Sequence, residues 1–69
     1  MKTNEEIVEQ ALAMAARFYS IMGYQSKPGF KFYDSNHPTE LKCWYMAVDA
    51  FNELAATDVN DALDEINDD

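Results

Sequence analysis

The chain has 69 residues, of which 48% are hydrophobic, and a formal net charge of −8. This apolar content excludes a wholly disordered chain, and the length predicts one small domain, residues 1–69, whose core supplies little net stability. No uncharged stretch approaches the roughly 20 apolar residues of a membrane-spanning helix, and a single cysteine excludes an intramolecular disulfide. These features predict a cytoplasmic protein.

The first predicted helix begins at a capping box and continues to Met22. Thr3 can accept a hydrogen bond from the amide of Glu6, while the Glu6 side chain reaches back toward Thr3. Gly23 supplies the C-terminal stop. Apolar residues cover about half of the helical wheel; they are Ile7, Val8, Ala11, Leu12, Met14, Ala15, Phe18, Tyr19, Ile21 and Met22.

Residues 24–36 interrupt the helical pattern and form a connection. Lys27-Pro28-Gly29 fits a tight turn with proline at the second position and glycine at the third. The alternation of Phe30 and Phe32 with a lysine permits a short strand, paired in a minor β-hairpin with residues 24–26. Residues 30–33, three aromatics and Lys31, form either a surface for single-stranded nucleic acid or a loop that covers the core. With only two lysines nearby, we favour the second interpretation.

The central helix is predicted over residues 37–56. His37 fits the cap, Pro38 the first helical position, and Glu40 the first turn near the positive end of the helix. Apolar side chains occupy two opposite faces of the wheel: Leu41, Trp44, Tyr45, Val48, Phe51 and Ala55 on one, and Cys43, Ala47, Ala50 and Leu54 on the other. This pattern predicts a helix that is packed from two sides.

The first helix can cover one of these faces, and a short last helix can cover only part of the other. We expect the core to join residues of the central helix to residues of the first, namely Trp44, Val48 and Phe51 to Ile7, Ala11, Phe18 and Met22. Some of the remaining apolar surface, including Tyr45, Met46 or Leu54, is then expected at a homodimer interface.

The last helix is predicted from Asp58 to about Ile66, with Thr57 or Asp58 as its cap. Its apolar residues share one face at the spacing i, i+3, i+4, i+7; they are Val59, Ala62, Leu63 and Ile66. The opposite face is acidic. The three segments together predict a small all-α, three-helix domain with an aromatic-rich loop between helices 1 and 2.

The chain carries no recognisable catalytic or metal-binding set. His37 and Cys43 are the only residues of their kinds, whereas a zinc site usually requires four ligands, so they are interpreted as a cap and a packing residue. Asp34, Ser35 and His37 are adjacent in a loop, unlike a nucleophilic triad. Residues 58–61 lack the central glycine of a calcium loop. We therefore expect no enzyme, no cofactor and no bound metal.

The charge is concentrated at one end of the chain. Residues 1–42 contain five acids and five bases, whereas residues 43–69 contain eight acids and no base. This acidic end disfavours direct binding to nucleic acid or an anionic membrane and favours a basic partner. The predicted partner-binding residues are Asp49, Glu53, Asp58, Asp61, Asp64, Glu65 and Asp68. A solvated face that maintains solubility is the alternative interpretation of the same residues.

In composition and charge, though in no motif, the chain resembles the small inhibitors encoded by phages and other mobile elements. These include anti-restriction, anti-CRISPR and repair-enzyme inhibitor proteins, several of which are DNA mimics. The resemblance assigns no role to any residue. It favours an inhibitor that occupies a basic, nucleic-acid-binding surface of a partner protein. The alternative is a small helical adaptor or regulatory subunit that binds through an apolar face.

Overall fold

The fold consists of three helices joined by short connections. The computed structural model describes residues 3–27 and 29–67. It contains α1 (Asn4–Ile21), α2 (Pro38–Ala55) and α3 (Val59–Asn67), with a 3₁₀ helix at Phe32–Asp34 between α1 and α2. No β-strand occurs in these two ranges. The predicted all-α, three-helix architecture is therefore confirmed.

Helix α1 begins and ends where its sequence predicts. The Oγ1 atom of Thr3 accepts a hydrogen bond from the amide of Glu6 at 3.2 Å. At the other end, Gly23 has a φ of +97°, and the amide of Tyr24 donates to the carbonyl of Tyr19 at 3.1 Å. This six-residue closure is a Schellman motif, and it requires the left-handed conformation that glycine adopts without a steric penalty.

Side chains cap the other two helices as well. The Nδ1 atom of His37 accepts from the amide of Thr39 at 3.3 Å, at the start of α2. The Oδ1 atom of Asp58 accepts from the amide of Asp61 at 3.1 Å, at the start of α3. Of the two predicted caps for α3, Asp58 is therefore the one used.

Helices α1 and α2 form an antiparallel pair around the core. The Tyr19 hydroxyl donates to Glu40 at 3.0 Å, which places the end of α1 beside the start of α2. Small residues line the contact, since Ala11, Ala15 and Ala47 are completely buried. The larger buried residues of the two helices are Val8, Tyr19, Trp44, Val48 and Phe51.

The predicted set of core contacts needs one correction. Ala11 is buried, and Ile7 and Phe18 are partly buried against the core as expected. Met22, however, is 49% exposed. It lies beyond the last turn of α1, and its sulfur contacts the sulfur of Cys43 at 3.5 Å from the edge of the core.

Both predicted apolar faces of α2 contribute buried residues, but neither face is buried along its whole length. The buried residues of α2 form one continuous arc of the wheel, in which Cys43 and Ala47 adjoin Trp44, Val48 and Phe51. Tyr45 is 60% exposed and Leu54 is 81% exposed. The physical reason is that α3 packs mainly against α1 and touches α2 much less. Of the second predicted face, Cys43 and Ala47 are therefore buried, whereas Leu54 is left exposed.

The aromatic loop closes the core, as the favoured interpretation of residues 30–33 predicts. Phe32 is 1% exposed, and its ring meets the ring of Tyr19 edge-on at a centroid distance of 5.4 Å. The ring of Tyr33 lies 5.3 Å from that of Trp44. The loop therefore contributes a buried aromatic residue to a core that is otherwise helical.

The predicted β-hairpin is absent from the described residues. The amide of Phe30 donates to the carbonyl of Lys27 at 3.0 Å, and Gly29 has a φ of +77°, so the expected tight turn is present. Pro28 lies outside the described residues. Beyond the turn, the chain forms a 3₁₀ helix that directs Phe32 into the core. An isolated two-stranded hairpin is only marginally stable in water. The loop is stabilised instead by burial of the Phe32 side chain.

Candidate functional site

Helix α3 separates its apolar and acidic residues as its sequence predicts. Val59 and Ala62 are buried, and Leu63 and Ile66 are partly buried. The acidic residues Asp58, Asp61, Asp64 and Glu65 are all exposed. Asp68 lies outside the described residues. These four predicted partner-binding residues are therefore accessible to a partner.

Two of these acids also hold the helix in place. Asp58 uses its Oδ1 atom for the cap, and the Oε2 atom of Glu65 accepts a hydrogen bond from the Asn4 amide side chain at the start of α1. A carboxylate has two oxygens that can accept several hydrogen bonds. Asp58 and Glu65 can therefore keep these structural contacts and still present negative charge to a partner.

Asp49 and Glu53 continue the negative charge onto α2. Both residues are exposed, and their i, i+4 spacing places them on one side of the helix. Between them in sequence, the Oδ1 atom of Asn52 accepts from the amide of Val59 at 2.9 Å. This bond joins the C-terminal part of α2 to the start of α3.

The structure adds acids from α1 that sequence reasoning missed. Glu5 and Glu9 line a groove together with Ile66 of α3, and the base Lys31 lines the same groove. Their position follows from the packing of α3 on α1, which the helical pattern alone does not specify. We define the acidic surface as the exposed residues Glu5, Glu9, Asp49, Glu53, Asp58, Asp61, Asp64 and Glu65.

A second polar cluster joins α1, the loop and α2. Glu40 accepts hydrogen bonds from the hydroxyls of Ser35 and Tyr19. The bond from Ser35, opposed by partial burial and assisted by Tyr19, lowers the pKa of Glu40. Burial, followed by the contact with Glu40, raises the pKa of Tyr19. Glu40 is thus held as a carboxylate and Tyr19 as a hydrogen-bond donor, which favours a structural tie between the helices.

The remaining candidate groups have structural positions. Cys43 is completely buried, and this burial raises the pKa of its thiol, which opposes formation of the reactive thiolate. The Ser35 hydroxyl contacts Glu40 and also accepts from the amide of His37 at 3.0 Å. Across residues 3–27 and 29–67, no three His, Cys, Asp or Glu side chains are arranged to hold a metal ion.

Comparison with known proteins does not identify a function, so a function has to be inferred from the surfaces of the fold. Protein-family models, curated proteins and solved structures give no match to this chain. In the described segments, no helix combines the length and the apolar character needed to cross a bilayer.

Proposed function

We propose that this protein is a noncatalytic inhibitor whose acidic surface occupies a basic, nucleic-acid-binding surface of a partner protein. The observation that supports this proposal is the exposure of every acidic residue described after position 42, in a segment without a base. These residues are Asp49, Glu53, Asp58, Asp61, Asp64 and Glu65. Such a surface attracts cations and repels nucleic acid phosphates.

The spacing of the carboxylates supports mimicry of a nucleic acid backbone. Asp61, Asp64 and Glu65 stand at i, i+3 and i+4 on α3, so neighbouring side chains are about 5–6 Å apart. This separation is comparable with that between successive phosphates on a strand. A basic groove that binds a phosphate backbone can therefore bind this face through similar contacts.

The attachment of α3 to the rest of the fold also favours binding. Asn52 holds the start of α3, and Asn4 contacts Glu65 near its end. The apolar face of α3 is buried against α1. The carboxylates are thus positioned before a partner arrives, so less conformational entropy is lost on binding than with a disordered acidic tail.

The likeness in composition and charge to phage-encoded inhibitors directs the proposal toward host defence proteins that bind nucleic acids. For such a target, the inhibitor needs no catalytic group. It has only to cover the basic surface with complementary negative charge and sufficient contact area.

The proposal is tested with charge variants that leave the fold intact. Asp61→Asn/Asp64→Asn removes two charges from the exposed face of α3, and Glu6→Gln/Asp34→Asn removes two charges elsewhere as the matched control. The partner is recovered from the native host by affinity capture and then purified. Its association with each protein is followed by surface plasmon resonance at low and moderate salt.

For the wild type and the control, we expect the affinity to fall markedly as salt rises, because exposed charges are screened over roughly 10 Å at 0.1 M salt. The Asp61→Asn/Asp64→Asn variant should associate several-fold more slowly and depend less on salt, since interface charges chiefly accelerate association. Equal affinity of all three proteins at both salt concentrations would show that the acidic surface serves solubility only. An apolar adaptor would then be the better interpretation.

A further inference from the structure

A groove lies within the acidic surface, between α1, α3 and the aromatic loop. Its volume is about 350 Å³, which is at the lower end of the range for sites that bind small ligands. The apolar part of its lining consists of Val8 and Leu12 from α1 and Ile66 from α3. Val8 is buried, but Leu12 and Ile66 are only partly buried, so the groove still has apolar area to offer a partner.

Two carboxylates line this groove beside its apolar residues. Glu5 and Glu9 lie one turn apart on α1, next to the row formed by Val8 and Leu12. Both are exposed, and side chains at this spacing are about 5–6 Å apart. A guanidinium group has five N–H donors in a fixed fork, so a single guanidinium can donate to both carboxylates.

Tyr33 adds an aromatic ring to the lining of the groove. This ring lies 5.3 Å from the ring of the buried Trp44, which holds it in position. Aromatic rings contact the guanidinium of arginine more often than the ammonium of lysine, because the guanidinium is planar and more weakly hydrated. The aliphatic stem of an arginine also packs on apolar surface while its charged end stays in water. The lining therefore suits the stem, the planar face and the charge of an arginine side chain.

We propose that this groove binds an arginine side chain of the partner protein. The inference rests on the proposed function, because the arginine is one that otherwise contacts a nucleic acid phosphate. In the inhibited complex, the carboxylates of Glu5 and Glu9 take the place of the phosphate oxygens as acceptors. Arginine is enriched among the residues that dominate the binding energy of interfaces, and such residues lie in well-packed pockets.

Lys31 also lines the groove, so the lining carries two negative charges and one positive charge. Lys31 is exposed, and its ammonium forms no ion pair with Glu5 or Glu9, all three being among the described residues. The net charge of the lining is therefore negative and favours a cation. Lys31 repels that cation, so neutralising Lys31 should strengthen the binding of an arginine.

The test uses the capped peptide Gly-Arg-Gly and the methyl NMR signals of Val8, Leu12 and Ile66 at low salt. The peptide should shift these three sets of signals and saturate them. The same peptide with citrulline, which keeps the planar end of the side chain without its charge, should leave them unchanged. The peptide with lysine should bind several-fold more weakly than the peptide with arginine.

Variants of the two carboxylates assign the binding to the groove. Glu5→Gln/Glu9→Gln should weaken the binding of the arginine peptide several-fold. Glu6→Gln/Asp34→Asn is the matched control, because it removes the same number of charges from residues that do not line the groove, and it should change the affinity much less. All four residues are exposed, so the helical circular dichroism should remain.

A second pair of variants tests the role of the base. Lys31→Gln should strengthen the binding of the arginine peptide several-fold. Lys42→Gln makes the same change in net charge at an exposed position of α2 that does not line the groove. It should leave the affinity nearly unchanged.

The inference is overturned if the arginine peptide leaves the signals of Val8, Leu12 and Ile66 unchanged, or if the citrulline peptide shifts them equally. It is also overturned if the control variant weakens binding as much as Glu5→Gln/Glu9→Gln, because the attraction would then belong to the whole surface. These peptides need no partner protein, so the result is separate from the test of inhibition. If the peptide binds the groove but the protein does not displace nucleic acid from the partner, the proposed function is wrong and the arginine site stands.

Discussion

Replacing Phe32 with alanine should destabilise the protein by about 3–5 kcal/mol, the usual cost of truncating a fully buried phenylalanine. Phe32 is 1% exposed although it lies in a loop. Its ring makes edge-on contacts with Tyr19, at 5.4 Å, and with Phe30, at 4.9 Å. Aromatic pairs of this geometry add about 0.5–1.5 kcal/mol beyond the burial of area. We therefore expect a value in the upper part of the range.

This loss is large for so small a domain. A chain of 69 residues has a free energy of unfolding of about 3–10 kcal/mol, so Phe32→Ala removes a third of it or more. Urea unfolding is followed by circular dichroism and by the fluorescence of Trp44. Phe32→Leu keeps most of the apolar volume and should cost only about 1–2 kcal/mol, which provides a variant that remains folded.

Phe30→Ala is the control within the same loop, because Phe30 is only partly buried. It should cost clearly less than Phe32→Ala. The loop would not be part of the core if Phe32→Ala lowered the free energy of unfolding by less than about 1 kcal/mol, the average for an arbitrary substitution.

Four further substitutions test other parts of the fold. Trp44→Ala should cost about 3–5 kcal/mol, whereas Tyr45→Ala on the exposed side of α2 should stay within about 0.5 kcal/mol; equal melting temperatures would contradict the assigned core. The Ser35 hydroxyl is the main cause of the lowered pKa of Glu40. The Glu40 carboxylate therefore contributes its full share of folding stability above the ordinary pKa of 4.5, and this contribution is lost as the pH falls through the lower pKa of the folded state. Glu40→Gln should therefore reduce the loss of stability on acidification, and an unchanged difference between neutral and acid unfolding would be inconsistent with this. Gly23→Ala should cost about 1–2 kcal/mol through backbone strain alone, because no atom lies within 4 Å of the added Cβ; urea unfolding measures this loss, and no change would refute the strain.

Local signals predicted the helices and their ends well. The Thr3 cap, Gly23 and the His37-Pro38 start act within a few residues of the chain, so a sequence pattern contains the information that they need. The amphipathic pattern of α3 was equally clear, because its apolar and acidic residues alternate with the helical period.

Contacts between distant segments were less predictable. The apolar pattern of α2 indicates which side chains prefer burial, but it does not specify which neighbour covers them, so it does not show that Leu54 and Tyr45 are exposed in the single chain. The packing of α3 on α1 was missed for the same reason, and with it the position of Glu5 and Glu9. Phe32 shows a further limit, because the alternation of Phe30 and Phe32 favours a strand, whereas the burial of Phe32 depends on contacts with distant residues such as Tyr19.

The proposed inhibition is tested most directly by competition with DNA for the partner protein. A fluorescently labelled duplex is bound to the purified partner, and its anisotropy is followed as the wild-type protein is added at low salt. We expect the wild type and Glu6→Gln/Asp34→Asn to release the duplex, and Asp61→Asn/Asp64→Asn to require a higher concentration. If the partner holds the duplex and the wild-type protein at the same time, the acidic surface does not occupy the nucleic-acid-binding site and the proposed function is wrong.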